Sequence, residues 1–292
     1  MNGTIRGHLV ALASAGLFIL GGTPSAQGQE LLVSSHASNQ VLRFDGVTGQ
    51  FLGVFASGGG LSGSHAMVLG PDANLYVAGE YSNNVVRYDG TTGDVIGQFV
   101  LPESGGLKAP GGLAFGPDGN LYVSSHYTAN VKRYCGTTGE YLDNFASEPL
   151  NGPTQLTFGP DGDLYVPCWN CQSVEHFDGY TGRYVSRAAF TGLFSYPHHV
   201  VFGPDGHLYV AAHNANTILV FDETTAEQLG QYGAACGSRL ARPTSVTFGP
   251  DGNLYVASRY TNQILRIRYV TGQCEVFASG GGMNQPFDLL FR

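Results

Sequence analysis

Charge is scarce in this sequence. Only 12% of its 292 residues are Asp, Glu, Lys or Arg, about half the share of an ordinary globular domain, which excludes a coiled coil, an ion-paired helical bundle and a charge-rich disordered chain. Lysine occurs at Lys108 and Lys132 alone and the net charge is −8. The basic surface that holds nucleic acid or anionic lipid is therefore missing, and neither partner is expected. Tryptophan occurs once, at Trp169, and no apolar run exceeds the twelve residues from Leu9 to Leu20, well short of the ~20 needed for a membrane-spanning helix. Glycine is abundant, with 43 residues, as are tyrosine with 16 and phenylalanine with 17. Such a composition suits many short strands joined by tight turns.

Arg6, the apolar run, and the small and turn-forming residues from Gly21 to Gly28 follow the layout of a secretory signal peptide. We read residues 1–28 as that segment, with cleavage after Gly28, and residues 29–292 as one exported, acidic domain. A secreted or periplasmic location follows.

Beyond the leader the sequence repeats. Leu31-Leu32-Val33, Leu75-Tyr76-Val77, Leu121-Tyr122-Val123, Leu164-Tyr165-Val166, Leu208-Tyr209-Val210 and Leu254-Tyr255-Val256 are spaced by 43 to 46 residues. Five of the six follow a Gly-Pro-Asp turn, in which proline fixes φ and glycine or aspartate supplies the tight bend. A third strand then runs into an Asp-Gly turn, as at Asp89-Gly90, and a fourth closes on Phe, as at Phe99. Each unit predicts four short antiparallel strands, lettered a to d, and six such units predict an all-β, six-bladed β-propeller. The first unit lacks strand a and the chain ends on an unpaired copy of it, Phe287 to Phe291. The C-terminal strand is expected to join the N-terminal blade and close the ring, leaving no open sheet edge there. A closed ring of this kind is expected to be a monomer.

The pattern resembles the NHL-repeat group of six-bladed propellers, the wider set containing the streptogramin lyases, the gluconolactonase-like enzymes and the peptidyl-hydroxyglycine amidating lyases. The resemblance spans residues 30–292. It specifies the scaffold rather than the chemistry, since one scaffold serves many functions.

In a propeller the b–c and d–a connections share one face and the a–b and c–d turns the other. Pro71, Asp72, Pro117, Asp118, Asp45, Asp89 and Asp178 belong to the second face and recur as turn residues. Residues that break the repeat lie on the first. The third residue after each strand b valine is His36, Glu80, His126, Trp169, His213 and Arg259, in blade order. The pairs opening strand a are His65-Ala66, Gly111-Gly112, Thr154-Gln155, His198-His199, Thr244-Ser245 and Phe287-Asp288. Six histidines thus gather on one face, while His176 and His207 do not.

These residues predict a funnel that takes a small ligand or a protein partner, with Glu80, Trp169, Arg259, Asp288 and His199 as ligand contacts. Neutral imidazoles are common ligands of Zn2+ and similar ions, so His65, His198, His126, His213 and His36 are candidate ligands of a divalent metal. In the amidating lyases, zinc is held by histidines in Pro-His-x-Leu segments opening strand a. Pro197-His198-His199-Val200 looks like such a segment, and Ser64-His65-Ala66-Met67 is a weaker match. The third ligand, which the family pattern does not supply, would come from His36, His126 or His213. The gluconolactonase-like enzymes use a carboxylate-rich site, whereas this face offers only Glu80 and Asp288. The streptogramin lyases carry Trp where this chain has Tyr in Leu-Tyr-Val, and Glu80 is one residue out of step with their strand-end glutamate. A metal-dependent lyase or hydrolase therefore stands beside a metal-free binding module and a structural envelope protein as readings of the same face.

Of the five cysteines, Cys168 and Cys171 share one b–c loop and are expected to form a disulfide, favoured in an oxidising compartment. A metal contribution from this loop, with Cys236, is the alternative. Residue 172 is Gln, where haem attachment needs His, and no haem or nucleotide is expected. The pairing of Cys135, Cys236 and Cys274 is left open by the sequence.

Overall fold

A computed structural model describes residues 29–193 and 195–292; the expected leader, residues 1–28, lies outside the described residues. Twenty-four strands form six four-stranded sheets. Blade 2, for example, is built from Ser64–Leu69, Leu75–Gly79, Asn84–Tyr88 and Val95–Val100, paired in that order. The only helices among the described residues are three short 3-10 segments.

Each sheet folds for the same local reason. Strand b alternates between the two neighbouring blades and is buried on both faces, so it reads as the continuous apolar run of a fully buried strand. Blade 1 carries Leu32 where the other five have tyrosine, and in blades 2, 3 and 6 that tyrosine packs edge-on between two phenylalanines: Tyr76 lies 4.8 Å from Phe99 and 5.1 Å from Phe115. Tyr122 repeats the arrangement with Phe145 and Phe158, and Tyr255 with Phe277 and Phe291. A buried phenol needs a partner, and the aspartate of the Gly-Pro-Asp turn supplies it. Tyr76 donates to Asp72 at 3.0 Å, Tyr122 to Asp118 at 3.0 Å and Tyr209 to Asp205 at 2.9 Å. Proline, aspartate and tyrosine of the repeat are thus one structural unit.

The c–d turns are held by a second aspartate. Asp45 Oδ1 accepts the backbone N–H groups of Val47 and Thr48 at 3.0 and 2.7 Å, and Asp89, Asp178 and Asp222 do the same. The turns pack tightly: a Cβ on Gly90 would lie 1.8 Å from the Ala73 carbonyl oxygen. The outer c–d ladders carry register shifts in every blade, and such bulges twist an exposed edge away from further pairing.

The ring closes as the repeat requires. Phe291, Leu290 and Leu289 of Pro286–Phe291 pair with Leu31, Leu32 and Val33 of Glu30–Ser35. Glu30 and Arg292 exchange two backbone hydrogen bonds at 3.0 Å, and their side chains form an ion pair. We number this closing sheet blade 1.

Cys168 and Cys171 form the expected disulfide. A second joins Cys236 to Cys274, and Cys135 is free. Cys236 is therefore not available to the ligand face. The d–a connections cross the outer strands of the next blade on their way to strand a: Gly59 lies against Val86 and Val95, and Gly105 against Tyr141. The 3-10 turn Ala234–Arg239 takes the same path, which brings Cys236 to the start of strand d in blade 6.

Candidate functional site

Strand a is innermost, and its opening residue points to the axis. His65 of blade 2 and His198 of blade 5 meet there from opposite sides, their rings stacked with centroids 5.3 Å apart. Phe287 of blade 1 fills the remaining space, 4.4 Å from His65 and 5.4 Å from His198. These three rings floor a funnel of about 260 Å3. Thr154 and Gly111, which open strand a in blades 4 and 3, complete the inner lining.

The walls come from the b–c loops. His126, Trp169, Glu80 and Arg259 all line the funnel, as the repeat-breaking positions predict. Trp169 is stacked on Tyr196 at 4.9 Å, and His213 lies behind it at 5.0 Å and 6.0 Å from His198. Arg259 lies over the Phe287 ring at 4.6 Å and gives two hydrogen bonds to Gln285 Oε1, at 3.2 and 2.8 Å. His36 is buried beneath the wall, stacked on Phe287 at 4.5 Å and bonded through Nε2 to Glu80 Oε2 at 2.6 Å.

His199 and Asp288 are placed differently. The side chain after each strand a opening turns away from the axis, because successive residues of a strand face opposite sides. His199 Nδ1 is 3.0 Å from the Ser245 hydroxyl, which donates to Asp288 Oδ1 at 3.0 Å. Asp288 also accepts the Met67 and Leu289 N–H groups at 2.8 and 2.9 Å, and its own N–H donates to Ser34. This chain of bonds ties the closing strand to blades 2 and 6, and neither residue lines the funnel.

Burial sets the protonation of the floor. It pulls the His65 imidazole down to about 3, with Glu80 opposing, and holds His198 well below the ordinary range. Burial also brings His213 down to about 4 and lowers His126. At neutral pH these four rings are uncharged. Burial is the largest influence on the Glu80 carboxyl and raises it, but the hydrogen bond from His36 and the surrounding histidines together outweigh burial and bring it down to about 2. Tautomers follow from the partners: His198 Nδ1 donates to the Thr244 carbonyl at 2.7 Å, His126 Nδ1 to Pro153 at 3.3 Å, and His213 Nδ1 to Asn214 Oδ1 at 3.2 Å. Their Nε2 atoms are left as acceptors. His213 Nε2 and His65 Nδ1 are buried without any partner.

The chemistry of these donors suits a divalent metal, because ligating histidines normally bind a carbonyl through the other nitrogen. Their spacing does not. Among the described residues, three ligand atoms come within 4.8 Å of one another at Asp161, Asp163 and His176 and at His207, Asp222 and Glu223, both on the opposite face. His36, His65, His126, His198 and His213 form no such group. The opposite-face clusters have a structural origin: His176 occupies the strand c position held by Arg87, Arg133 and Arg266, each paired with the aspartate of its a–b turn, and it pairs likewise with Asp161 and Asp163 at 4.0 and 2.8 Å.

The sequence reading missed the rim. Tyr81, Tyr127 and Tyr260 each follow a repeat-breaking residue and are 67%, 76% and 63% exposed; the first two line the funnel. Their shared position in three blades was the available signal. Phe287 was passed over for its neighbour Asp288, although strand alternation separates the two.

No family model matches the chain, and no curated protein matches it. Solved structures share its fold. The catalytically inactive virginiamycin B lyase from Staphylococcus aureus with quinupristin matches with a TM-score of 0.65 and 17% identity, over 92% of this chain and 93% of that one. A streptogramin B lyase matches with a TM-score of 0.65 and 17% identity, over 90% of this chain and 83% of that one. A nidogen/laminin complex matches with a TM-score of 0.73 and 15% identity, covering 90% of this chain and 98% of that one. The chain thus has the six-bladed, NHL-like propeller shared by the streptogramin lyases and the nidogen complex.

Proposed function

We propose that this chain is an exported binding propeller that takes a small ligand, or a side chain of a protein partner, in the funnel above His65, His198 and Phe287. The observation carrying the reading is a cavity lined by repeat-breaking residues, among them Glu80, His126, Trp169 and Arg259. The propeller solved with quinupristin gives independent support, since a fold of this kind accommodates a small molecule. Export is supported by the Arg6 to Gly28 layout and by two disulfides, which persist in oxidising compartments.

The test is a saturation-transfer NMR screen of a fragment library against the wild type and Trp169→Ala. Fragments that bind the wild type should lose roughly tenfold or more in affinity in the variant, as for a stacked aromatic contact at the centre of a site. Equal binding to both proteins would overturn the reading.

A second reading, a metal-dependent lyase or hydrolase, is favoured by one observation. His126, His198 and His213 all keep Nδ1–H on a carbonyl oxygen and present Nε2 lone pairs. A bound Zn2+ would act as a Lewis acid or supply hydroxide. The spacing of the histidines weighs against it. Elemental analysis of purified protein separates the two: near-stoichiometric divalent metal, lost in the doubly substituted His65→Ala, His198→Ala protein, favours the enzyme, and affinity weaker than about 10 μM for added Zn2+ disfavours it.

A further inference from the structure

We propose that the funnel selects a ligand bearing a protonated amine, with its N–H groups toward Glu80 and the histidine lone pairs and its apolar body against the aromatic rim. The proposal rests on the funnel being the ligand site and adds the class of ligand.

The walls offer acceptors that no protein group fills. His126 and His198 have committed Nδ1–H to the carbonyl oxygens of Pro153 and Thr244, so each presents a bare Nε2. Glu80 uses Oε2 for His36, and among the described residues Oε1 takes no hydrogen bond, although the side chain is 26% exposed at the cavity wall. Arg259, the one cationic side chain of the lining, spends Nε and Nη2 on Gln285 and lies over Phe287. An incoming ligand meets the free Glu80 oxygen, two imidazole lone pairs and the rings of Tyr81, Tyr127 and Trp169, together with the Arg259 charge already engaged by Gln285 and Phe287. The carboxylate, the lone pairs and the aromatic rings all favour an organic cation.

Other ligand classes fit less well. An anion finds Arg259 already engaged by Gln285 and Phe287 and otherwise meets lone pairs and a carboxylate. A neutral polyol fills the acceptors but brings no charge to Glu80. A bare divalent ion needs several ligand atoms at once within about 2 Å, and the funnel histidines do not converge so closely. An alkylammonium ion has three donors, spreads its contacts over a wider radius and brings an apolar body for the tyrosines.

The probes are benzylamine, benzyl alcohol and benzoate, which share one ring and differ in charge. Binding to the full exported protein is followed by the fluorescence of Trp169, the single tryptophan, and by calorimetry. Benzylamine is expected to bind about tenfold more tightly than either of the others. Glu80→Gln should remove that advantage while leaving benzyl alcohol unchanged, with thermal unfolding confirming that the variant is folded. The comparison of the three probes on the wild type stands even if the variant misfolds. Benzylamine binding no tighter than benzyl alcohol, or undiminished in Glu80→Gln, overturns the proposal. Binding of the alcohol or benzoate that is lost in Trp169→Ala would leave the funnel standing and remove only the amine. If no probe perturbs Trp169 up to about 10 mM, the amine proposal falls, and the fragment screen decides separately on the funnel.

Discussion

The two faces of this propeller are built from one template and use it in opposite ways. On the a–b and c–d face the same residues return blade after blade. Asp72, Asp118, Asp161, Asp205 and Asp251 each accept the tyrosine four residues later, and Asp45, Asp89, Asp178 and Asp222 each hold a c–d turn. On the b–c and d–a face no single residue fills the equivalent positions: histidine alternates with Glu80, Trp169 and Arg259 after strand b, and the buried nitrogens His65 Nδ1 and His213 Nε2 have no partner. Repetition marks residues that fold the blade; its failure marks residues free to serve a ligand. Asp288 qualifies the lesson, since it breaks the repeat but serves the single ring closure.

Acid should separate the faces most strongly. His65 and His198 are buried neutral, with folded values far below the unfolded 6.5. As pH falls below 6.5 the unfolded chain takes up protons that the folded chain refuses, so stability is lost from there downward, for His65 until about 3. Each of these histidines should cost roughly 2 kcal/mol by pH 5, read from urea unfolding midpoints. The turn carboxylates behave in the other sense: their values are lowered from 3.8, so their contribution is intact above 3.8 and lost only below it. Flat stability between pH 6.5 and 5 would contradict the burial of the floor.

Substitutions sharpen the contrast at smaller scale. Gly139 has φ +75° and a Cβ there would lie 1.8 Å from the Phe99 carbonyl oxygen, so Gly139→Ala should cost about 3 kcal/mol in chemical denaturation. Tyr122→Phe removes the hydrogen bond to Asp118 and should cost about 1 kcal/mol by the same measurement. Cys135 stands where Asp45, Asp89, Asp178 and Asp222 hold the c–d turn, and hydrogen bonds from Thr137 and Thr138 bring its thiol down to about 6. Cys135→Asp should therefore change stability by less than about 0.5 kcal/mol, whereas a larger loss would show that the position is not a turn aspartate in disguise.

Much of this was legible in the sequence because a repeat reports its own fold. The spacing of the Leu-Tyr-Val segments, the missing strand a of the first unit and the orphan strand Phe287 to Phe291 require a closed ring, and the register of Leu31 with Phe291 is that closure. The site was legible by position: the third residue after strand b lines the funnel in four blades, as His126, Trp169, Glu80 and Arg259, while His36 and His213 at the same position lie behind the lining. Orientation was less legible. His198 faces the axis and His199 the junction with blade 6, a distinction that strand alternation contains but that composition does not. The Cys236–Cys274 bridge was hidden for a different reason: it depends on the path of a d–a connection across the next blade, which no repeat position encodes.

The measurement that tests the division of labour most directly is crystallography of the protein soaked in a fragment library. The opposite face offers grooves of 560 Å3 beside Asp118 and Tyr180 and 520 Å3 beside Arg87 and Cys135, each larger than the funnel, so size alone favours them. The account predicts fragment density stacked on Trp169 and above His65 and His198, with the two grooves empty. Fragments in the grooves and none in the funnel would contradict it.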